Sequence, residues 1–459
     1  MMKIVVCIRQ GLDGEINPFD ACAYEEALRI DNADVTLLSM APMSAKELLV
    51  NLTRLGAKRA VLLSDRAFAG ADTLATAYTL SLAIKKLSPD LVLCGRQTFV
   101  GDTAQTGAML AEMLGISLVT NVMSIDKINE GRITCETRDE GIKAVCAPAL
   151  LTVERINSLR LPRLRSKLGD VEVWGVADIE ADTEKCGLKG SPTRVIKTFE
   201  NESGKRKCKF IVREQLPEII KEALNKKGSS ILNASDENKE KLSHVCIVGP
   251  TPRKFAETVA DKITEIPLDD ACFIADRIKE LAPSAVLWGS DTVSKRLSAV
   301  VAAKMGLGLC ADCTLLECEG GELMMYRPAL SGSVIAKIKS LTVPAMATVR
   351  TDSGNRSDII VAAGFGVKDQ MDAVTLFAKD IGAELCSSRK LVDNGYARYE
   401  SQVGLTGKNV SPPVYIAIGI SGAVHHIAGM QRSGTVIAIN PDKDAPIFEY
   451  ADYGIIDNF

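Results

Sequence analysis

The chain has 459 residues, a length that suggests about three domains, with 46% hydrophobic residues to fill several cores and a formal net charge of −3. A charge balance so close to zero argues against nucleic acid as the main partner, and no run of about eighteen apolar residues is present to span a membrane. The thirteen cysteines are scattered, which fits reduced thiols; the opening MMKIVVCIRQ reads as a buried strand and not as a secretion signal, so a cytoplasmic protein is expected.

From the amino terminus, KIVVCIRQ (3–10), INPFDACAYEEALRI (16–30), VTLLSMAP (35–42), LGAKRAVLLSD (55–65) and FAGADTLATAYTLSLAIKKLSPDLVLCGRQ (68–97) alternate strand, helix and strand. That alternation predicts a parallel sheet covered on both faces. After the strand at 91–94 comes GDTAQTGAMLAEMLG (101–115), with a helix expected over 108–114. Free backbone N–H groups at such a helix start can hold a phosphate. Asp102, Thr103, Ala104, Gln105, Thr106 and Gly107 would then form the loop around it, with Cys7 and the strand end at 35–42 near the base. Helix capping by Asp102 or Thr103 explains the same loop without a ligand.

SLRLPRLRSK (158–167) is either a solvated basic connector or a docking loop, in which Leu161 or Leu164 anchors while Arg163, Arg165 and Lys167 steer the encounter. The polar stretch at 200–243, with KRK and NASDENKEK, marks a junction between a first domain (1–200) and a second (201–350). KKLSPDLVLCG (85–95) recurs as KELAPSAVLWG (279–289), and APALLTV (147–153) is echoed by TVPAMATV (342–349), so the middle segment reads as a second copy of the first. Its loop SDTVSKRLSA (290–299) lacks the close glycines of GDTAQTG and is expected to be scaffold. Cys310 and Cys313, with Cys318 nearby, form the only cluster worth testing as a metal or iron–sulfur site. A fourth sulfur at useful spacing is missing, and the repeat alignment sets the pair on 118–121, so no metal is expected. TDSGNR (351–356) reads as a polar hinge before a third domain, 351–459.

In that third domain the apolar run at 414–418, bounded by Pro413 and Gly419, reads as a buried parallel strand, and Ser421-Gly422 opens a helix through Met430. A strand–glycine turn–helix presents N–H groups to a phosphate or a flavin edge, although alone it is ordinary α/β architecture. His425 and His426 are adjacent, hence face different ways on a helix, and at most one of them meets a ligand.

Five motifs follow in order over about seventy residues: SSRKLVD (387–393), QVGLTGK (402–408), GISGAVHHIAGM (419–430), AINPDKDAPIF (438–448) and ADYGI (451–455). This series resembles the FAD-binding domain of the electron-transfer flavoprotein alpha chain, and the amino-terminal series of segments resembles the beta chain of the same family. The resemblance implies an α/β chain with two related parallel-sheet nucleotide-binding-type domains and a carboxy-terminal Rossmann-like FAD-binding domain. It implies FAD in an extended groove, with Ser388 and Arg389 beside the isoalloxazine and Val403, Gly404, Leu405 and Thr406 near the ring. Ser421, Gly422, Ala423, Val424, His425 and His426 would run along the ring and phosphates, and Asn440, Asp457 and Asn458 towards the adenosine end.

Arg389 would then favour the reduced, more negative flavin. His426, protonated or donating, would act at the pyrimidine edge, and the Thr406 hydroxyl would reach the redox nitrogen. No acid–base catalytic residue is expected. The amino-terminal loop would hold AMP or a second FAD. The implied function is electron transport: electrons are accepted from an acyl-CoA dehydrogenase-type or other redox protein, or from NADH, and passed to a second redox protein. Two alternatives stand beside it, a bifurcating NADH-dependent flavoprotein with two FADs and a non-redox adenine-nucleotide-binding regulatory module. The chain departs from the family pattern at Phe365, where arginine is usual, and at Leu405, where glutamine is usual; Val100 replaces an aspartate common in bifurcating members.

Overall fold

The computed structural model describes residues 1–11, 14–98, 101–163, 165–200, 205–225, 240–329, 334–350, 357–404, 407–408 and 410–459. Val100, Leu164, Leu405, Thr406 and the hinge at 351–356 lie outside them. Contacts divide the chain into one unit of Met1–Thr198, Glu240–Leu330 and Ala336–Arg350, and a second of Phe199–Lys239, Ser331–Ile335 and Thr351–Phe459.

The first unit begins with strands β1 (Met2–Cys7), β2 (Ala33–Met40), β3 (Arg59–Leu63), β4 (Leu91–Gly95), β5 (Ser117–Asn129), β6 (Arg132–Thr137), β7 (Gly141–Cys146), β8 (Ala149–Val153) and β9 (Asp170–Trp174). They form one sheet in the order β7-β6-β5-β8-β4-β1-β2-β3-β9, parallel from β5 to β9 and antiparallel at the β5-β6-β7 end. Helices α1 (Pro18–Arg29), α2 (Lys46–Thr53), α3 (Thr73–Leu87) and α4 (Thr106–Leu114) lie between strands, as the apolar periodicity predicts. Proline at the first turn starts α1, and the Asp72 carboxylate caps α3 by accepting the N–H groups of Leu74 and Ala75 at 3.0 and 3.1 Å.

The chain leaves through β10 (Thr193–Glu200), contributes β11 (Lys209–Phe210) and α5 (Leu216–Asn225) to the second unit, and returns. The second copy is built from β12 (Val245–Val248), α6 (Arg253–Val259), β13 (Ile263–Ile266), α7 (Ala271–Leu281), β14 (Ala285–Trp288), α8 (Thr292–Met305), β15 (Leu309–Cys313), β16 (Leu315–Glu319), β17 (Glu322–Ala329), β18 (Val334–Ser340) and β19 (Ala345–Val349). Its parallel sheet runs β13-β12-β14-β19-β15, and a second sheet runs β10-β18-β17-β16. The copies share one core, in which Ala108 and Met109 of α4 join Ala299, Val301 and Ala302 of α8.

The repeat extends to backbone detail. Asn121 in β5 and Asp312 in β15 both have positive φ, 59° and 52°, and each donates its N–H to a threonine hydroxyl, Thr152 and Thr348. Each marks a bulge in which three residue steps face two on the neighbouring strand. This register sets Cys310 and Cys313 on Val119 and Val122, one residue beyond the 118–121 expected from the sequence.

The second unit adds β20 (Ile359–Ala363), α9 (Met371–Asp380), β21 (Glu384–Ser387), α10 (Arg389–Asp393), β22 (Val414–Ile418), α11 (Val424–Met430), β23 (Thr435–Ile439) and β24 (Tyr453–Ile455). Its sheet is wholly parallel, in the order β11-β24-β23-β22-β20-β21. The contacts thus divide the chain differently from the boundaries at 200 and 350, because residues 205–225 pack with the carboxy-terminal sheet. Leu216, Ile219, Ile220 and Ala223 of α5 bury an apolar stripe against the face carrying Val414 and Ile416. Arg206 fixes the entry by donating to the Ser433 and Gly434 carbonyls, both at 2.6 Å, and by pairing with Asp452.

Candidate functional site

β1 has β2 on one side and β4 on the other, so the connections leaving the carboxyl ends of β1 and β4 run in opposite directions and leave a crevice between them. A cavity of about 300 Å³ opens there. Asp20 holds its mouth: one carboxylate oxygen accepts the Arg9 N–H at 2.8 Å and the other accepts the Gly95 N–H at 3.0 Å. A side chain at residue 95 would come within 2.4 Å of that carboxylate, which is why glycine stands there. Asn17 adds a bond to the Gln97 carbonyl at 3.0 Å.

Cys7, Thr103, Ala104, Gln105, Thr106 and Gly107 all line the cavity. Asp102 does not. Its carbonyl accepts a bond from Arg327 of β17 at 2.9 Å, and its carboxyl is pushed up to about 6 by burial, with Arg327 acting in the opposite direction. Neither Asp102 nor Thr103 caps α4: the cap position is Gln105, without a side-chain cap bond. Gly107 is required by packing, since a Cβ on it would lie 2.6 Å from Thr152 and 3.1 Å from the Cys94 sulfur.

Arg9, Arg96 and Arg327 line the cavity, and the Arg96 guanidinium is paired with the buried Glu154 at 3.1 Å. Asp20 faces them, but burial pushes its carboxyl up to about 7, against the pull of the Arg9 N–H, Asn17 and the Gly95 N–H. That burial weakens the negative charge that Asp20 sets against the arginines near neutral pH, so the wall favours an anion. The amide nitrogens of Gln97 and Gln105 are buried, line the cavity and have no hydrogen-bond partner among the described residues. Unsatisfied buried donors are costly, and a polar ligand is what would satisfy them. The sequence reading passed over Arg9, Arg96, Gln97 and Arg327. A signal for three of them was there: both strands flanking the crevice end in the same run, Cys7-Ile8-Arg9-Gln10 and Cys94-Gly95-Arg96-Gln97.

In the second unit the reversal falls between β20 and β22. The turns beyond them touch, for a Cβ on Gly364 would lie 2.0 Å from the Gly419 carbonyl. Of the residues expected at the flavin, Ser388 and Arg389 follow β21, residues 421–426 follow β22, Asn440 follows β23, and Asp457 and Asn458 follow β24, while Val403 and Gly404 follow the turn at Tyr399–Ser401. Ser388 precedes α10, and its buried hydroxyl has no partner among the described residues. Arg389 pairs with Asp393 at 3.1 Å. Val403 is buried and bonds to the Ser387 carbonyl at 2.9 Å, while Gly404, at φ 141°, passes so close to His425 that a Cβ would lie 2.8 Å from its carbonyl. Ser421, Ala423, Val424 and His425 are exposed, and Gly422 at φ 94° packs on Ile447.

Three expected residues are otherwise engaged. The Asn440 amide donates to the Ile420 carbonyl at 2.9 Å and accepts the Asp442 N–H at 2.9 Å, so its side chain braces the turns. Asp457 and Asn458 are exposed and meet Arg213, the carboxylate at 3.8 Å and the Asn458 carbonyl at 3.4 Å. Phe365 carries Lys390 over its ring at 4.4 Å, so a cation stands beside the position where the family pattern has arginine.

His426 is buried, with Nε2 at 2.9 Å from the Tyr415 hydroxyl. Burial pulls its pKa down to about 4, partly offset by the Val403 carbonyl. Of the two forms left open by the sequence, protonated or donating, burial favours the neutral, donating imidazole at pH 7.

The geometry agrees with comparison to known proteins. Residues 4–179 and 263–362 match the electron transfer flavoprotein domain, and 355–431 match the electron transfer flavoprotein FAD-binding domain. Among curated relatives, the electron transfer flavoprotein subunit beta of Clostridium acetobutylicum is 44% identical over 207 residues, 42% of this chain and 79% of that protein. Subunit alpha of Thermoanaerobacterium thermosaccharolyticum is 35% identical over 229 residues, 40% of this chain and 69% of that protein. Protein FixA of Azorhizobium caulinodans is 41% identical over 211 residues, 42% and 75% of the two chains. The chain belongs to the electron transfer flavoprotein family and joins beta-like and alpha-like parts in one polypeptide. It is an electron-transfer flavoprotein with an FAD-binding carboxy-terminal domain. Among the described residues no helix is long and apolar enough to cross a membrane, and no group of three or more His, Cys, Asp or Glu could hold a metal ion.

Because His426 binds its proton less readily when folded, the unfolded chain takes up more protons between its ordinary pKa of 6.5 and about 4. Stability of the carboxy-terminal unit should therefore be complete above pH 6.5 and fall by roughly 3 kcal/mol as the pH drops through that window. Denaturant unfolding at stepped pH should show this slope, and His426→Gln should flatten it.

Proposed function

We propose that this electron-transfer flavoprotein holds its working FAD along the carboxyl edge of the β20–β24 sheet and an adenine mononucleotide in the cavity of the amino-terminal copy. Bound FAD supplies reversible one- and two-electron chemistry, and the chain holds it and sets its electrostatic surroundings. The orphaned Ser388 hydroxyl fits a ligand that accepts or donates a hydrogen bond. The close backbone turns at Gly364, Gly404 and Gly422 let main-chain N–H groups approach it. Arg389 and Lys390 bring positive charge, which favours the reduced, more negative cofactor, and Asp393 offsets part of it. Neutral His426, held by Tyr415, offers a hydrogen bond and not a charge.

The cavity carries the mononucleotide reading. Its volume of about 300 Å³ is at the lower end for small-molecule pockets, a size for AMP more than for a second FAD, and its arginines and unpaired glutamine amides suit a phosphate and a base. A redox protein of the acyl-CoA dehydrogenase type is the partner we infer, and its dock is the loop at 158–167. Arg160 pins the base of that loop to Glu25, with its backbone N–H at 3.1 Å and its guanidinium at 3.0 and 2.9 Å. Leu161, beside it, is 87% exposed, an apolar anchor on a fixed support.

Acid release and chromatography should give one FAD and one AMP per chain. Gln105→Leu should retain the FAD and lose AMP affinity about tenfold, the value of one hydrogen bond to a ligand. Two FADs per chain would favour the bifurcating, NADH-dependent alternative, and equal AMP content in both proteins would make the loop structural.

Arg389→Ala should lower the flavin's reduction potential by roughly 1 kcal/mol per electron, since Asp393 already screens the charge. A potentiometric titration that finds no change with FAD still bound would remove Arg389 from this role.

Leu161→Ala should leave flavin content and spectrum intact while weakening the partner by about 2 kcal/mol, or roughly thirtyfold. Stopped-flow reduction by an acyl-CoA dehydrogenase at the native rate would make the loop a connector.

A further inference from the structure

Cys310 and Cys313 lie three residues apart in β15, a spacing that turns side chains to opposite faces of a regular strand. The bulge reverses this. Cys310 faces Ala347 and Cys313 faces Val349, so three steps cover two rises of the neighbouring strand, roughly 6.6 Å. Both side chains therefore lie on the face where Ala347 and Val349 pack. The separation falls within the roughly 4.4–6.8 Å between Cα atoms that a disulfide spans. Asp312 takes up the extra residue and is fixed by the Thr348 hydroxyl at 2.8 Å and by Lys295 at 2.9 Å.

The two thiols are hydrogen-bonded to each other, and Cys313 also lies 3.9 Å from the Cys310 carbonyl. Cys313 is sealed in the core, whereas Cys310 lines the cavity. The matching bulge in β5 carries Val119 and Val122. The fold therefore needs only apolar side chains at these positions, and packing alone does not account for two sulfurs.

We propose that Cys310 and Cys313 form a redox-active dithiol opening onto the nucleotide cavity, converted to an intrachain disulfide by a hydroperoxide. The Cys310 thiolate attacks a peroxide oxygen; an S–O bond forms, the O–O bond breaks, and the departing hydroxide takes the proton that Cys310 released. Cys313 then attacks the Cys310 sulfenic sulfur; the S–S bond forms, the S–O bond breaks, and a second water leaves with the Cys313 proton. Two thiols lose two electrons and two protons, and hydrogen peroxide becomes two waters.

The roles follow from the surroundings. The hydrogen bond from Cys313, helped by the charge of Arg327, pulls the Cys310 thiol below its ordinary range, while burial pushes Cys313 well above it. Cys7 and Cys94 line the same cavity on paired positions of β1 and β4. Burial pushes Cys7 up to about 12 and raises Cys94 as well, which leaves both poor nucleophiles.

Full-length protein exposed to hydrogen peroxide, unfolded in an alkylating agent and digested should yield the peptide holding both cysteines about two mass units light. Dithiothreitol should restore two alkylated thiols. Cys313→Val, the residue that β5 carries, should stop the reaction at a Cys310 sulfenic acid that dimedone captures. Full alkylation of Cys310 and Cys313 under conditions that oxidise the exposed Cys146 and Cys272 would overturn the proposal, as would bridging of Cys310 to Cys7 or Cys94.

Discussion

A parallel strand whose two neighbours are reached by crossovers on opposite sides leaves a gap at its carboxyl end that neither crossover covers. Among the described residues this constraint occurs three times, beyond β1, β12 and β20, and each time the sequence treats it differently. Beyond β1, Gly95 and the Asp20 carboxylate keep the gap open. Beyond β12, Trp288 stands in register with Val248 where Cys94 stands in register with Cys7, and its wholly buried indole takes the room. Beyond β20, glycines at 364 and 419 draw two turns into contact and direct the chain outward along one edge. One geometry thus gives an open pocket, a buried indole and a pair of touching turns, according to which residues end the strands.

Much of this was legible. Strand–helix alternation gave the parallel sheets because periodicity reports burial directly, and the echo of KKLSPDLVLCG in KELAPSAVLWG revealed the second copy. The degenerate loop at 290–299 raises the expectation that this copy is scaffold, and beside that loop Trp288 is wholly buried. Of the carboxy-terminal motifs, 387–393, 419–430 and 438–448 run on from the ends of β21, β22 and β23, while 402–408 lies between α10 and β22 and 451–455 contains β24 itself.

What escaped was of two kinds. Contacts between distant segments leave no local trace: Arg327 reaches the cavity from β17, and residues 205–225 join a sheet that is completed more than two hundred positions later. The basic run around Arg206 read as a solvated junction, yet its guanidinium is spent on Asp452 and two carbonyls. Titration state was the second kind. The sequence leaves His426 protonated or donating, and its burial against Tyr415 favours the neutral, donating form. Bulges belong with the first kind, for the one-residue offset at Cys310 appears only when the register of β15 against β19 is known.

The detour of the chain through the carboxy-terminal unit bears on what a separated version of that unit would contain. Its sheet takes β11 as the edge strand beside β24, and α5 covers the face carrying Val414 and Ile416. A polypeptide beginning at residue 357 would lack both, so that Tyr453 and Gly454 would present an unpaired edge and an apolar face would lie open to water. The boundary of this folding body is therefore a property of its sheet and not of a single position in the sequence.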